Sequence, residues 1–351
     1  MTGSIDPSVG YDDRVGDDGR SAIVRIDDRF RDRVAELARE HRRRHSLARA
    51  FEHGWLTSWL WRWLTALVAG PRVGMVGPPP PIPLPAAGEC ALSFIGHATV
   101  LIRYAQGRVL TDPCFARSLY SLRRARAASL PPGALEGLDL VLISHAHADH
   151  LHAPSLDEIP WRERKRRVTL VVPPGLRRAR RIGERLGFAR VVELEPGATL
   201  YSAGLEVTAV PAQHRMGFWS RSRALGYVVR GDGPTVYFAG DSGYFSGFLD
   251  VGARFRPDVA LLPISGYRPR ALRRDHLSPL DALYAFEDLG ARLLVPIHHS
   301  AFSLGYEPLN EPITWLRSLV SARSLGARVA FLEPGESCVA RRAPIVEGRA
   351  P

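Results

Sequence analysis

The sequence predicts an α/β fold of the α+β kind, a sandwich of β-sheets and covering helices preceded by a helical extension. Short apolar, β-branched runs recur between turn residues from position 91 onward, as strands do. Amphipathic stretches lie between these runs, which is typical of helices packed on sheets. Hydrophobic residues make up 45% of the 351 residues, enough to bury a large core.

The first 90 residues differ in composition from the rest of the chain. We expect a disordered polar tail over 1–27 and a charged helical extension over 28–77. Residues 78–90 contain PPPPIPLP and are predicted to be a stiff linker. Residues 91–340 are then expected to form one folded domain.

The helical extension includes a tryptophan-rich stretch, WLTSWLWRWLTALVA, at 55–69. It is too short to span a bilayer and is interrupted by Arg62. Two interpretations stay open. The stretch lies in a lipid interface as a peripheral membrane contact, or it packs its aromatic side on the domain.

The net charge of +11 first suggests a polyanionic partner. However, Lys165 is the only lysine and Asn310 the only asparagine, so the excess is almost all arginine and indicates a general composition bias. Arginine runs commonly form solvated faces, and we therefore do not expect a nucleic-acid partner.

The cysteines and the N-terminus both favour a cytoplasmic location, with membrane association if 55–69 contacts lipid. The three cysteines, Cys90, Cys114 and Cys338, are far apart and form no CxxC pair. The acidic N-terminus lacks the basic-then-apolar pattern of a secretory signal. Nothing in the sequence indicates the oligomeric state.

The strands and one helix of the domain can be placed from the sequence. The predicted strands are VLIS (141–144), VTLVV (168–172), LEVTAV (205–210), LGYVV (225–229), TVYFA (235–239), DVALL (258–262), LLVPI (293–297) and RVAFL (328–332). A helix is predicted over 278–290, because Ser278 can cap it, Pro279 suits its first turn and Gly290 can end it.

Side chains that can bind metal follow four of these strands. They are His145, His147, Asp149 and His150 after the first, then His214, Asp241 and His298. Strand ends are rigid, so ligands placed there hold the geometry that a metal site needs. Four buried polar groups within six residues would be costly without a partner, which disfavours a purely structural interpretation.

The spacing indicates two ions. Alternate residues of an extended segment point the same way, so His145 and His147 can reach one ion. After a turn, Asp149 and His150 can reach a second, and Asp241 could bridge the two. Imidazole and carboxylate suit zinc, manganese or iron. A structural metal is disfavoured because there is no four-cysteine arrangement.

The motif SHAHADH (144–150) with the later His, Asp and His resembles the metallo-β-lactamase superfamily. That superfamily has a four-layer αβ/βα sandwich with a dinuclear metal site at one edge. Longer motifs come in the order found in N-acylphosphatidylethanolamine-hydrolysing phospholipase D and its bacterial relatives, and the resemblance covers about 91–333. These motifs are FIGHATVLI, LTDPCF, LPPGALEGLDLVLISHAHADHL, PAQH, YFAGDSGY, LLPISGYRPR, DHLSPLDAL and PIHHSAFSLGYEP.

The resemblance implies a role for each matching residue. One metal would be held by His145, His147 and His214, the other by Asp149, His150 and His298, and Asp241 would bridge them. Zinc is the first expectation for both ions, with manganese or iron as alternatives.

Four residues, three of them outside the ligand set, have additional expected roles near the metals. Asp149 also helps to orient a metal-bridging hydroxide, and His276 transfers a proton or contacts phosphate. Asp112 stands behind the ligands and orients a ligand histidine, while His97 is structural or supports the ligands from behind.

Some positions depart from the resembled pattern or have no expected role. Arg215 stands where the family usually has tryptophan, and HHSAF (298–302) stands in place of HWGTF. These positions put the substrate in doubt but not the hydrolysis. His152 and His299 match no family role and are expected to lie on the surface or line the pocket.

The expected function is metal-dependent hydrolysis of a phosphodiester, including a lipid phosphodiester, by the bridging hydroxide. A lactonase acting on a soluble phosphorylated sugar acid is the alternative. A nuclease is less favoured, because no added nucleic-acid arm is recognisable. A metal-dependent binding or sensing protein is disfavoured because all seven ligand positions are filled.

Overall fold

The computed structural model describes residues 80–130, 133–160, 167–215 and 223–342. The predicted tail over 1–27, the helical extension over 28–77 and its stretch at 55–69 lie outside the described residues. The first strand begins at Glu89, two residues before the domain boundary expected from the sequence.

The described residues form fifteen strands, five α-helices and two short 3-10 helices. The strands are β1 (Glu89–Gly96), β2 (Thr99–Arg103), β3 (Arg108–Thr111), β4 (Ser118–Leu119), β5 (Leu122–Arg123), β6 (Leu140–Leu142), β7 (Thr169–Val172), β8 (Arg190–Glu193), β9 (Thr199–Ser202), β10 (Leu205–Pro211), β11 (Leu225–Arg230), β12 (Val236–Phe238), β13 (Val259–Pro263), β14 (Leu293–Ile297) and β15 (Ser337–Arg341). The helices are α1 (Ala153–Glu158), α2 (Arg177–Leu186), α3 (Gly247–Phe255), α4 (Pro279–Asp288) and α5 (Glu311–Ala322), with 3-10 turns at Arg270–Arg274 and Gly326–Arg328. Among these described helices, none is both long and apolar enough to cross a membrane.

Two main sheets share one core. The first has the order β15-β1-β2-β3-β6-β7-β8 and the second β14-β13-β12-β11-β10-β9, while β4 and β5 form a separate hairpin. Side chains from both sheets meet in one apolar cluster that includes Phe94 and Leu142 from the first and Tyr227 and Phe238 from the second. The sheets are therefore packed face to face, as in a sandwich.

The alternation of side chains along a strand explains the outer layers. In β13, Val259 and Leu261 face the shared core, whereas Ala260 and Leu262 pack with the apolar side chains of α3, α4 and α5. Helices α1 and α2 cover the outer face of the first sheet through a third apolar cluster. The four-layer αβ/βα sandwich that the resemblance implied is thus confirmed.

The predicted helix over 278–290 is confirmed as α4. The Asp281 backbone N–H donates to Ser278 Oγ at 3.3 Å, and the Ser278 N–H donates to the Asp281 carboxylate at 3.0 Å. This reciprocal cap satisfies two N–H groups that the first turn leaves without helical partners. Gly290 follows the helix with a φ of +61°, which favours glycine.

The strand predicted over 328–332 is wrong. Val329 makes only an isolated bridge to Leu294, directly after the 3-10 turn Gly326–Arg328. A turn at 334–335 then directs the chain to the first sheet, where the Phe94 N–H donates to the carbonyl of Glu336 at 3.0 Å. The apolar run is therefore used for packing, and the strand that follows is β15.

Parallel pairing brings the site-bearing strand ends to one edge of the sandwich. Strands β3, β6 and β7 are parallel to one another, as are β12, β13 and β14. The carboxyl ends of parallel strands lie at the same edge of their sheet, which is the usual place for a binding site in α/β folds.

Candidate metal centre

Three histidine rings converge beside the end of β6 and form what we call the exposed pocket: His145, His147 and His214. The Nε2 atom of His145 lies 2.9 Å from His147 Nδ1, which lies 3.1 Å from His214 Nε2. His145 is buried, whereas His147 is exposed and His214 is partly exposed. The first two come from the loop after β6 and the third from the end of β10, so both sheets contribute to the pocket.

A second group, the buried pocket, comprises Asp149, His150 and His298, with His97 against it. Asp149 Oδ2 lies 3.4 Å from His150 Nε2, 3.6 Å from His298 Nε2 and 2.9 Å from His97 Nε2. These four residues are buried, and their ligand atoms lie within 4.8 Å of one another. His97 thus directly supports the carboxylate of Asp149, a predicted ligand.

Asp241 lies between the two pockets. Its Oδ2 atom is 3.2 Å from His150 Nε2 and 3.8 Å from His145 Nε2, and its Oδ1 atom is 3.2 Å from His298 Nε2. The structure therefore brings together all seven residues predicted as ligands, in two groups joined by one carboxylate. Their roles as ligands stay predictions.

Unpartnered polar atoms show that these residues fit metal ions. His150 Nε2, His298 Nε2 and Asp241 Oδ1 are buried and have no hydrogen-bond partner among the described residues. Such atoms are costly to bury unless something binds them. Imidazole nitrogens and carboxylate oxygens that converge in this way suit divalent transition metals.

The electrostatics of the cluster also favour a bound cation. Burial would raise the pKa values of Asp149 and Asp241, but His150 and the other histidines that contact them together outweigh burial and hold both pKa values well below their usual range. Burial would lower the pKa of His298, but Asp241 and Asp149 raise it to about 9. The carboxylates therefore demand positive charge, which divalent cations would supply in place of protons.

His97 and His145 are held neutral. Burial, reinforced by His298, lowers the pKa of His97 to about 3. Burial, reinforced by His150, lowers the pKa of His145 well below its ordinary value. A neutral ring keeps one lone pair free to bind metal.

Asp112 lies behind both pockets, where the sequence predicted it. Its Oδ2 atom is 2.6 Å from His150 Nδ1, and its Oδ1 atom accepts the Ser144 backbone N–H at 2.7 Å. The Ser144 hydroxyl donates to Asp112 Oδ2 at 2.5 Å and lies 2.9 Å from His145 Nδ1. Asp112 thereby fixes the ring of His150 directly and that of His145 through Ser144.

Three site residues have left-handed backbone conformations: His97 (φ +62°), Asp112 (φ +32°) and His298 (φ +57°). Each directly follows a strand. A positive φ is unfavourable for a residue with a side chain, and such strain persists where the surrounding structure fixes it. At these strand ends it turns the chain so that the side chain lies in the cluster.

Two supporting groups were missed in the sequence. Ser265, just after β13, donates its hydroxyl to the carbonyl of His298 and lies 3.4 Å from His298 Nδ1. The carbonyl of Asp275 lies 2.8 Å from His214 Nδ1. Ser265 follows a predicted strand, as the predicted ligands do, and could have been indicated in the same way. No sequence pattern indicated the carbonyl of Asp275.

His276 faces the space between the pockets. Its Nδ1 atom is buried without a hydrogen-bond partner among the described residues and lies 3.7 Å from Asp241 Oδ2. Burial lowers the pKa of this ring to about 4. The structure thus places His276 beside the predicted bridging ligand, and its role toward substrate stays a prediction.

His152 and His299, which were expected on the surface or lining the pocket, lie in two different environments. His152 caps α1, because its Nδ1 atom accepts the Ser155 backbone N–H at 3.2 Å. His299 is 5% exposed and stacks on Phe94 with ring centroids 5.4 Å apart. His299 is therefore a core residue and not a surface one.

Comparisons with known proteins show which family the chain is similar to. A sequence profile of the beta-lactamase superfamily domain matches residues 107–299. An uncharacterised protein of Mycobacterium tuberculosis is 33% identical over 283 residues, covering 74% of this chain and 73% of that protein. A UPF0173 metal-dependent hydrolase of Methanoregula boonei is 32% identical over 259 residues, covering 70% of this chain and 96% of that protein.

A solved structure shares the fold. Igni18, a metallo hydrolase from the archaeon Ignicoccus hospitalis, superposes with a TM-score of 0.53 at 23% identity, covering 73% of this chain and all of that one. At this identity the likeness concerns the fold alone.

Proposed function

This chain belongs to the metallo-β-lactamase superfamily and is a metal-dependent hydrolase, and from that premise we propose that it uses two metal ions to hydrolyse a phosphodiester. The observation that carries the proposal is the position of Asp241, whose two oxygens face His150 and His298 of one pocket while one of them also faces His145 of the other. A carboxylate placed in this way suits a pair of ions.

The charge of the cluster supports two divalent ions, with zinc as the first choice and manganese or iron as alternatives. Asp112, Asp149 and Asp241 supply three buried negative charges. Two divalent cations would supply four positive charges. The attacking water, once deprotonated, would balance the remaining positive charge, so the site would not repel a negatively charged phosphodiester.

When bound, such ions would lower the pKa of a water toward neutrality and polarise a phosphoryl oxygen. The protein's part is to position the reacting groups. Asp149, held at 2.9 Å by His97, fixes the buried side of the site and orients the attacking water. His276 lies beside Asp241 with a free ring nitrogen, where it can contact a phosphoryl oxygen or exchange a proton with it.

The order of motifs along the chain supports a substrate of the N-acylphosphatidylethanolamine type, a lipid phosphodiester. The tryptophan-rich stretch at 55–69 would supply the peripheral membrane contact, although it lies outside the described residues. Liposome co-sedimentation of the full chain and of a chain lacking 1–77 tests this part. Equal absence of binding by both forms would remove the membrane contact from the proposal.

The decisive experiment measures release of phosphatidic acid from an N-acylated phosphatidylethanolamine by the zinc-loaded full chain. A chelated sample, and the same sample with zinc restored, are the controls. Zinc-dependent release is the expected result. Turnover of a generic lactone without any release of phosphatidic acid would contradict the phosphodiester proposal and favour the lactonase alternative.

A further inference from the structure

Arg215 makes a multiple contact with Asp275 next to the exposed pocket. Its backbone N–H and its Nε donate to Asp275 Oδ1 at 3.1 and 3.0 Å, and its Nη2 donates to Oδ2 at 2.7 Å. The Arg215 side chain is 62% exposed, whereas that of Asp275 is 10% exposed. A two-pronged contact of this kind fixes both position and orientation of the carboxylate.

Asp275 in turn contacts the ligand that precedes Arg215. Its backbone carbonyl accepts the Nδ1–H of His214 at 2.8 Å. This bond leaves His214 Nε2 with its lone pair directed at the exposed pocket, 3.1 Å from His147 Nδ1. Asp275 therefore uses its carboxylate for Arg215 and its carbonyl for His214.

The same two loops are joined at a third point. Gln213 Nε2 donates to the carbonyl of Arg274 at 3.0 Å. Residues 213–215, after β10, thus run alongside residues 274–275, before α4. The second of these loops also carries His276, the residue placed beside Asp241.

We propose that Arg215 is a positioning residue for the metal ion of the exposed pocket. It clamps Asp275 so that the Asp275 carbonyl stays on His214 Nδ1, and this contact holds the ring of His214 toward the ion. The inference rests on the proposed two-metal function. It concerns one pocket only, because the buried pocket is supported by Asp112 and His97.

The positioning role explains why this chain departs from the resembled family at position 215. Arg215 stands where that family usually has tryptophan, which cannot form a two-pronged ion pair. The clamp is partly exposed to solvent, so salt screens it. Affinity for the exposed-pocket ion should therefore fall as ionic strength rises.

The test uses the full-length, metal-free protein titrated with Zn²⁺ in competition with a chromophoric chelator. Arg215→Gln should weaken one of two zinc equivalents by about 10–100-fold, the usual effect of losing a group that orients a ligand. The other equivalent should keep its affinity. Arg215→Lys keeps the positive charge but not the two-pronged guanidinium. Its zinc affinity at the weaker site should lie between those of the unaltered protein and Arg215→Gln.

Arg230→Gln is the matched control, because it removes another arginine–carboxylate pair, Arg230–Glu206 at 3.3 Å, which joins β10 and β11 away from the site. It should leave both zinc equivalents unchanged. The salt dependence of the weaker equivalent should be steep in the unaltered protein and shallow in Arg215→Gln.

The outcomes separate the inference from the function it rests on. Fewer than two zinc equivalents in the unaltered protein would overturn the two-metal proposal and this inference with it. Two equivalents that Arg215→Gln leaves unchanged, weakens equally, or weakens no more than Arg230→Gln does, would overturn the positioning role alone.

Discussion

The two pockets differ in how their side chains are held. In the buried pocket, Asp112 holds His150 and His97 holds Asp149, and all four of these side chains are inaccessible or nearly so. In the exposed pocket, His147 is open to solvent and His214 is held by a backbone carbonyl that depends on a surface ion pair. A buried carboxylate and a buried histidine support the first pocket directly, whereas the second depends on the Ser144 hydroxyl behind His145 and on a solvent-screened ion pair behind His214.

This difference predicts unequal affinities. Carboxylates raise the basicity of histidine ligands that donate to them, and burial protects such contacts from salt. The ion of the exposed pocket should therefore be the first to leave under a chelator. The exposed side is also where a substrate can enter, so the more weakly held ion is the one nearer to it.

The largest expected effect comes from Asp241→Asn, which alters the residue shared by both pockets. Metal content and turnover should fall together, turnover by about 10³-fold, because a metal pair supplies several kcal/mol of charge stabilisation. Metal analysis and steady-state kinetics on the same samples check this. Full turnover at unchanged stoichiometry would show that Asp241 does not join the pockets.

A smaller effect, stronger in the buried pocket than in the exposed one, is expected for Asp112→Asn, because Asp112 contacts His150 directly but His145 only through Ser144. Loss of the carboxylate behind His150 should weaken zinc binding there by about 10–100-fold. Zinc competition on the variant measures it. Asp258→Asn is the control, since Asp258 accepts the Thr235 backbone N–H at 2.9 Å without contacting the cluster. Equal weakening of both equivalents by Asp112→Asn would mean that the pockets are not supported separately.

The smallest predicted effect concerns His299, which is buried but is not a predicted metal ligand. Burial lowers the pKa of His299 to about 4 from its ordinary 6.5. The His299 ring therefore binds a proton more strongly in the unfolded chain than in the folded one. The stability that the neutral ring contributes to the fold is lost as pH falls from about 6.5 toward 4.

His299→Phe removes the titratable imidazole and keeps an aromatic ring against Phe94. The decrease in unfolding free energy between pH 7 and pH 5 should shrink by on the order of 1 kcal/mol. Chemical denaturation at both pH values measures it. An unchanged pH dependence would show that His299 does not stay neutral in the fold.

The sequence predicted the strands and ligands that have local patterns. Alternating or continuous apolar runs identified β6, β7 and β10 to β14, and the residues just beyond four of these strands came together in the cluster. Strands β1 to β5, β8, β9 and β15 were not predicted. Strands β8 and β15 have exposed positions and few apolar residues, whereas β1 to β3 are almost entirely buried and were left unassigned. The run at 328–332 was misassigned because an apolar run that packs without pairing looks the same in sequence.

The supports of the cluster were harder to predict than its ligands. Asp112 was recognised through a family motif, but the contact between His97 and Asp149 joins residues 52 positions apart. The clamp between Arg215 and Asp275 spans 60 positions. Contacts over such separations depend on the register of the sheets and on strained backbone at strand ends, and neither is encoded in a short stretch of residues.

The predicted metal ligands come from both sheets, which has a consequence for the stability of the protein against unfolding. Residues 145–150 extend from the first sheet, and His214, Asp241 and His298 extend from the second. An ion bound by both sets is a cross-link that the unfolded chain lacks, so by mass action each tenfold rise in free metal adds about 1.4 kcal/mol per site against unfolding. Metal supply would then set the lifetime of the protein as well as its activity, and a starved cell would lose the enzyme to proteolysis as it lost the ion.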